Sequence, residues 1–446
     1  MARVLLIGSG PLPRFSPDTL GFPQLRCAHF LEEIQKEHEL GLILLQGDSE
    51  SVPDLPHVCV LEPDAPDWVE TAQAFVESFS PDVVVGGGPY HPARLAALVA
   101  GERPLWIDIA GDPFAEAQAK SAHTGESGHS REMYTAYIGA LTRADAFSVV
   151  SHAQRHALQG QLGVLGRLEV APLAQEWIHV VPVGYHFGDL REAEPKRSPE
   201  GELVVALCGG YNTWLDGENL LKGLLLAMRR APGLRVLSTG GAIDGHHSAT
   251  YDAFRAQALS SPFADRFTFH GWVSHRALPE LLSRAHVGVC MDHPGAEPEL
   301  GSRTRVLFYF HQGLEVLSTL GSEICTELAS LRMLRGIEVG SPESLSDELV
   351  RMSRTELSGL APQRAQQFMR GRYLPEQTLG PLMQWLDAPI RVDQVQDPAV
   401  QLAAELAKAR SELKYVYATP TWRAAGAADR FIKLGTQRLD RIFGKD

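Results

Sequence analysis

Short apolar runs rich in β-branched residues alternate along this chain with stretches in which apolar positions recur every three or four residues. In the first half the runs are Val4–Ile7, Leu42–Leu45, Val58–Leu61, Val83–Val85, Leu105–Ile109, Phe147–Val150 and His179–Val183. Between them, Leu25–Glu37, Val69–Phe79 and Ala93–Ala100 have helical period. Strands that are apolar throughout and separated by helices predict a parallel sheet covered on both faces. Arg191–Glu202 is charged, carries Pro195 and Pro199, and reads as a linker. A second set follows: Leu203–Leu207, Leu234–Ser238, Arg266–Phe269, Val287–Cys290, Glu315–Ser318 and Gly336–Val339, with helices over Leu220–Arg229, Thr250–Leu259, Ala277–Arg284 and Arg303–His311. The expected fold is α/β: two Rossmann-like doubly wound domains facing a cleft, residues 1–187 and 203–375, joined by a linker over 188–202. Residues 376–446 are expected to form a helical C-terminal extension.

Composition narrows the class. Of 446 residues, 44% are apolar and 21% charged, as in globular proteins with large cores. No apolar run approaches the ~20 residues that span a bilayer, and Val4–Ile7 is too short for a signal-peptide core, so the expected location is the cytosol. Five scattered cysteines without CxxC spacing fit buried free thiols in a reducing compartment. A net charge of −13 argues against nucleic acid as a partner. The charge is uneven: residues 408–446 carry nine basic and four acidic side chains, net +5, leaving −18 on the remainder. In that tail Trp422, Phe431, Leu434, Ile442 and Phe443 interleave with Arg423, Arg430, Lys433, Arg438 and Arg441. Such a segment suits either the anionic inner face of a membrane or an apolar stripe docked on the acidic body.

In doubly wound sheets, ligands bind beyond the carboxyl ends of the strands. Gly8-Ser9-Gly10-Pro11 follows the first strand, with Pro13 where a dinucleotide fingerprint needs its third glycine. Gly8 and Gly10 there either admit a ligand to the backbone or form a plain tight turn. Asp108 and Asp112 flank Gly111 at another strand end, where a carboxylate can orient or deprotonate an acceptor hydroxyl, or cap the next helix. His123 and His129 lie in what reads as a polar, Gly-bearing loop, Ser121–Arg131, and His91 follows the strand Val83–Val85. In the second half, Cys208-Gly209-Gly210-Tyr211-Asn212, Ser238-Thr239-Gly240-Gly241 and His270-Gly271-Trp272 each follow a strand. Three consecutive strands ending in glycine-bearing polar loops suit a phosphate cradled by backbone N–H groups. The sharpest stretch holds Asp292, Glu297, Glu299, Gly301, Ser302, Arg303 and Arg305. With Ser302 as N-cap, both arginines fall in the first helical turn, where the helix dipole disfavours a cation. A di- or trianionic ligand at that end would explain them; pairing with Glu297 or Glu299 is the alternative. No Asp-X-Asp stands at a strand end, His246-His247 lack ligand spacing, and no Gly-X-Ser-X-Gly elbow occurs, so neither a metal site nor a serine hydrolase is expected.

The stretch ELGSRTRVLFYFHQGLEVLST (Glu299–Thr319), with RVLSTGG (Arg235–Gly241) and FTFHGWV (Phe267–Val273) before it, resembles the donor site of GT-B glycosyltransferases, within them the family 4-like (group 1) bacterial enzymes. LLIGSGPLP, GFPQLRCAHFLEEIQKEHEL and WIDIAGDPFAEAQAK resemble the acceptor domain of such enzymes, so the likeness spans roughly residues 3–375. The resemblance implies transfer of a sugar from a nucleotide-diphosphate sugar, held by the second domain, to a glycan or lipid-linked acceptor on the first. It implies no cofactor, no metal, retention of anomeric configuration, and a role in polysaccharide biosynthesis. Donor contacts then fall to Gly209, Gly210, Tyr211, Asn212, Thr239, Gly240, Gly241, Gly271, Trp272, Asp292, Gly301, Ser302, Arg303 and Arg305. Asp112, His91 and Glu299 become catalytic candidates, and Gly8, Gly10 and Asp108 line the acceptor side. Phe308 stands where the family usually places a ribose-binding carboxylate, and no Lys lies between Gly209 and Leu221. These departures also admit a catalytically silent GT-B partner or scaffold; a sugar-nucleotide epimerase is a further alternative.

Overall fold

The computed structural model describes residues 1–13, 21–46, 54–63, 65–172, 176–198, 201–243 and 248–392. These belong to one unit, Met1–Gln394. The basic tail at 408–446 and His246-His247 lie outside the described residues.

Seven strands form the first sheet: β1 (Arg3–Ser9), β2 (Glu39–Leu45), β3 (Val58–Leu61), β4 (Val83–Gly87), β5 (Leu105–Ile109), β6 (Ala146–Val149) and β7 (Ile178–Val180), in the order β3-β2-β1-β4-β5-β6-β7. Six form the second: β8 (Leu203–Cys208), β9 (Leu234–Thr239), β10 (Phe267–Phe269), β11 (Val287–Cys290), β12 (Glu315–Thr319) and β13 (Arg335–Ile337), in the order β10-β9-β8-β11-β12-β13. The strand pairings are parallel. β1 shows why the runs are apolar throughout. Leu5 and Ile7 pack with Trp68, Val76, Phe79 and Leu95 on one face. Val4 and Leu6 pack with Cys27, Phe30 and Ile34 on the other. Alternate side chains point to opposite faces, so a strand covered on both sides needs apolar residues at every position.

Two local expectations are corrected, and two segments pack closely on the body. The linking segment over 188–202 packs on the second domain: Ala193 N–H donates to His311 O (2.8 Å), Lys196 N–H to Gly313 O (2.6 Å), and Leu190 is buried. The polar stretch after β5 is mostly helical, with helices at Pro113–Thr124 and His129–Arg143 that take in His123 and His129. Ser302 is not an N-cap. Arg303 occupies that position, and the helix runs Thr304–His311 with no side-chain cap. A short helix, Ala296–Leu300, precedes it. Residues 376–392, at the start of the expected helical extension, pack back onto the first sheet. The helix Gly380–Asp387 buries Leu382, Trp385 and Leu386 in the same cluster as Val4, Leu6 and Trp106, and the Trp106 and Trp385 rings lie 5.5 Å apart. The chain therefore leaves the second sheet and finishes against the first.

Candidate functional site

Strand order reverses between β1 and β4 in one sheet and between β8 and β11 in the other. In open α/β sheets the crevice beyond the strand ends at such a reversal is where ligands sit. The loops at those points carry most of the residues singled out above.

On the second domain, backbone bonds tie three loops together. Gly209 N–H donates to Thr239 O (3.1 Å), Tyr211 N–H to Gly241 O (3.0 Å) and Gly240 N–H to Gly271 O (2.7 Å). The glycines at 209, 240 and 271 have φ of +92°, +83° and +65°. A Cβ at Gly240 would lie 2.3 Å from Gly209 O, so this approach needs glycine at both φ and contact level. Arg305 reaches into this platform from the helix Thr304–His311. Its Nη2 donates to Gly210 O (2.6 Å) and would lie 3.5 Å from a Cβ on Gly209. The groups that act on it are the Cys290 thiol, the Tyr309 phenol and the Cys208 thiol, with Asp292 the weakest influence. Among the described residues no carboxylate lies within ion-pair distance of Arg305. Trp272 stands at the rim, 45% exposed, its Nε1–H donating to Ala242 O (2.7 Å). Asn212 is partly exposed beside the platform. Tyr211 is different: it is buried, bonded to Ser238 Oγ (3.2 Å) and packed edge-on to Tyr251, which makes it core rather than a ligand contact. Thr239 is buried as well.

Arg303 is also corrected. Its guanidinium is buried and donates from Nε to Asp292 Oδ2 (2.6 Å) and from Nη1 and Nη2 to both oxygens of Glu297 (3.1 and 2.7 Å). Two carboxylates consume it, so it anchors the helix Ala296–Leu300 and leaves no N–H fork for a phosphate. Burial raises the Glu297 carboxyl, against the attraction of Arg303. Glu299, the expected catalyst, is exposed, while Glu297 faces inward. Gly301 terminates the short helix and is buried; Ser302 contributes its carbonyl to Arg303 Nη1 (3.2 Å).

The first domain shifts the candidates too. Asp108 is fully buried, paired to Arg26 through both oxygens (2.8 and 3.0 Å) and accepting from Ser148 Oγ (2.6 Å). It locks β5 to the helix Phe22–Glu37 and faces no cleft. Gly8 and Gly10 serve packing: a Cβ would meet Cys27 Sγ or Gln46 Oε1 at 2.1 Å. Asp112 takes the capping alternative, one oxygen accepting from Phe114 and Ala115 N–H (both 2.9 Å), the other from Gln161 Nε2 (2.7 Å). His91 opens the helix His91–Val99, exposed, its ring edge-on to Trp68. A further carboxyl near the domain seam is Glu116, four residues after Asp112. Tyr90 Oη donates to its Oε2. Burial pushes Glu116 up to about 7; the Tyr90 bond opposes this and the charges of Glu297 and Asp112 add to it. Glu297 belongs to the second domain, so Glu116 lies where the domains meet. Gln118 Oε1 accepts from Ala296 N–H (3.1 Å) and Ser151 Oγ donates to Leu300 O (2.7 Å) along the same seam.

Sequence reasoning missed Glu116 and Tyr90. The spacing of Glu116 from Asp112 was legible once Asp112 is read as a cap, because four residues make one helical turn. Tyr90 gives no such signal; its backbone (φ 63°, ψ −119°) is set by the loop around it. Among the described residues no group of three or more His, Cys, Asp and Glu side chains is placed to hold a metal ion, and no helix is long and apolar enough to cross a membrane.

Solved structures share this arrangement of two sheets. Sucrose-phosphate synthase from Thermosynechococcus elongatus superposes with a TM-score of 0.64 at 14% identity, over 87% of this chain and 100% of that one. The fold is GT-B. HepE from Anabaena, solved in complex with UDP-glucose, matches this GT-B chain with a TM-score of 0.61 at 13% identity, over 87% of this chain and 100% of the other. A glycosyltransferase from Rickettsia africae matches at 0.58 and 12% identity, over 86% and 97%. No protein-family profile and no curated protein matches the sequence.

Proposed function

We propose that this protein is a glycosyltransferase of the family 4-like kind. In this reading it binds a nucleotide-diphosphate sugar on the second domain and passes the sugar to a glycan or lipid-linked acceptor on the first. The observation that carries the reading is Arg305: a partly exposed cation beside Gly209 and Gly210, without a carboxylate partner among the described residues. A buried or half-buried cation without a counterion is costly, and a diphosphate supplies the counterion. The three glycine loops and the N-terminus of Thr304–His311 add N–H groups for the same anion. Charge developing on the leaving diphosphate is then stabilised by Arg305 and these dipoles, so the proposed reaction needs no metal. Solved structures of the same fold that hold UDP or UDP-glucose support a nucleotide-sugar as the donor. Retention of configuration, a part in polysaccharide biosynthesis, and attachment of the tail to a membrane belong to the same proposal.

Titration calorimetry with UDP, GDP, ADP and their glucose conjugates tests the reading, for the intact chain and Arg305→Ala, each with and without a chelator. One nucleotide is expected to bind in the micromolar range, to weaken more than about tenfold in the variant, and to be indifferent to the chelator. Binding of none would remove the donor site and favour a silent GT-B partner. Phe308 motivates that second reading: it is buried edge-on to Phe187 (5.2 Å), so the helix offers a ring where a ribose-binding carboxylate would stand.

A further inference from the structure

The chain crosses between the two domains at residues 187–190, and this crossing touches two separate parts of the glycine platform. Phe187 is 1% exposed and packs edge-on to Phe308 and His311, each at 5.2 Å, on the helix that carries Arg305. Leu190 is buried, and its N–H donates to Phe187 O (3.2 Å). Asp189 stands between these two anchors and reaches a second element. Its Oδ1 accepts from His275 Nε2 (2.8 Å) and its Oδ2 from Arg276 Nε (3.2 Å). An ionised carboxylate only accepts, so Nε2 carries the imidazole proton. Both partners lie in the loop after β10, residues 270–277, which is neither helix nor strand and has Gly271 and Trp272 in its first half. That half is tied to the platform: His270 N–H donates to Ser238 O (2.9 Å), Gly240 N–H to Gly271 O (2.7 Å) and Trp272 Nε1–H to Ala242 O (2.7 Å). The second half has a local turn, Ala277 N–H to Ser274 O (3.0 Å), and the grip of Asp189.

His275 is the stronger half of that grip. It is 1% exposed and its Nδ1 has no partner, so among the described residues Asp189 supplies the hydrogen bond of the ring. Arg276 is 61% exposed, and an ion pair in water contributes little. Burial acts to raise the Asp189 carboxyl, but the bond and charge of His275 and the charge of Arg276 outweigh it and hold the group below the usual carboxylate range. One short crossing thus fixes both the helix behind Arg305 and the loop that bears Trp272, so the spacing between the cation and the indole rests on it.

We propose that Asp189 is a positioning residue for nucleotide binding: through His275 it holds the loop 270–277 in place against the platform that Arg305 completes. The role deepens the transferase reading and rests on it for the nucleotide. Without the carboxylate the buried imidazole loses its partner and the second half of the loop loosens. A nucleotide then has to order the loop as it binds, and that ordering lowers its affinity.

Hydrogen exchange read by mass spectrometry follows the loop in the intact chain, and titration calorimetry with UDP, GDP and ADP follows the platform. Asp189 is 36% exposed, so its truncation leaves the core packing untouched. Asp189→Ala is expected to speed exchange in the peptide over 270–277 and to weaken the nucleotide that binds by about tenfold. Asp189→Asn keeps an oxygen that accepts from His275 and is expected to recover most of both effects. Trp385→Ala, which loosens a helix packed on the first sheet, is the control: its melting temperature is expected to fall while nucleotide affinity stays within about twofold. An Asp189→Ala chain that binds nucleotide as tightly as the unmodified chain would overturn the positioning role, whether or not its loop exchanges faster. So would an equal loss of affinity in Trp385→Ala, which would mark a general loosening. Equal binding in every variant removes only the positioning role; an unmodified chain that binds none of the three nucleotides removes the transferase reading and this role with it.

Discussion

Arg303 and Arg305 are two residues apart and have opposite circumstances. Arg303 has two carboxylates within 2.7 Å; Arg305 has a carbonyl and two thiols around it. Removing Arg303 would strand Asp292 and Glu297 together, so Arg303→Ala is expected to lower unfolding free energy by about 3–5 kcal/mol, read from urea denaturation. Arg305→Ala is expected to leave that midpoint nearly unchanged while costing nucleotide affinity. Glu116 gives a pH signature at the same scale. Burial pushes its folded pKa up to about 7 from the ordinary carboxyl value of 4.5, so the folded state holds the proton more tightly. The stability this provides is complete below about pH 4.5 and is lost as pH rises through about 7. Glu116→Gln cannot ionise, so the variant is expected to lose that part of the slope and to gain on the unmodified chain at pH 8 by roughly 1–3 kcal/mol, measured by denaturation at pH 5 and pH 8.

Two short elements position the site. The loops after β8, β9 and β10 form one backbone platform because glycines at 209, 240 and 271 accept left-handed φ values. Gly240→Ala is expected to cost about 1–3 kcal/mol through φ strain alone, with further displacement of Gly209, and to weaken nucleotide binding together with stability. The helix Ala296–Leu300 is the other. Its five residues belong to the second domain, yet its N-terminal Ala296 and C-terminal Leu300 bond the first. The helix puts Glu297 inward and Glu299 outward because residues two apart on a helix lie on nearly opposite sides.

Across the whole molecule, the chain returns to the first domain before it leaves the described structure. Trp385 is 5% exposed against Trp106, and Val392 N–H donates to the buried Asp145 Oδ1 (2.9 Å). Trp385→Ala is expected to destabilise by about 3–5 kcal/mol even though it lies in the last described helix. Thermal unfolding followed by tryptophan fluorescence checks this. A cost below about 1 kcal/mol would mean that the helix is an appendage.

The apolar runs by themselves determined the two sheets, because a strand buried on both faces has few alternatives to continuous Val, Ile and Leu; β3, β5 and β11 have the very bounds that their runs mark. The glycine-bearing strand ends were legible for the same local reason, since left-handed backbone selects glycine. Which charged residue faces which was not legible. Asp108 sits in the same short run as Asp112, and only packing made one an ion pair with Arg26, 82 positions away, and the other a helix cap. Arg303 and Arg305 look alike in the sequence and are separated only by which carboxylates the fold brings to them. That the helix Gly380–Asp387 covers the first domain was not legible, because nothing local tells a helix which of two domains it will cover. Contacts between residues distant in sequence are settled by burial and charge pairing in three dimensions, and those were left to the tertiary structure.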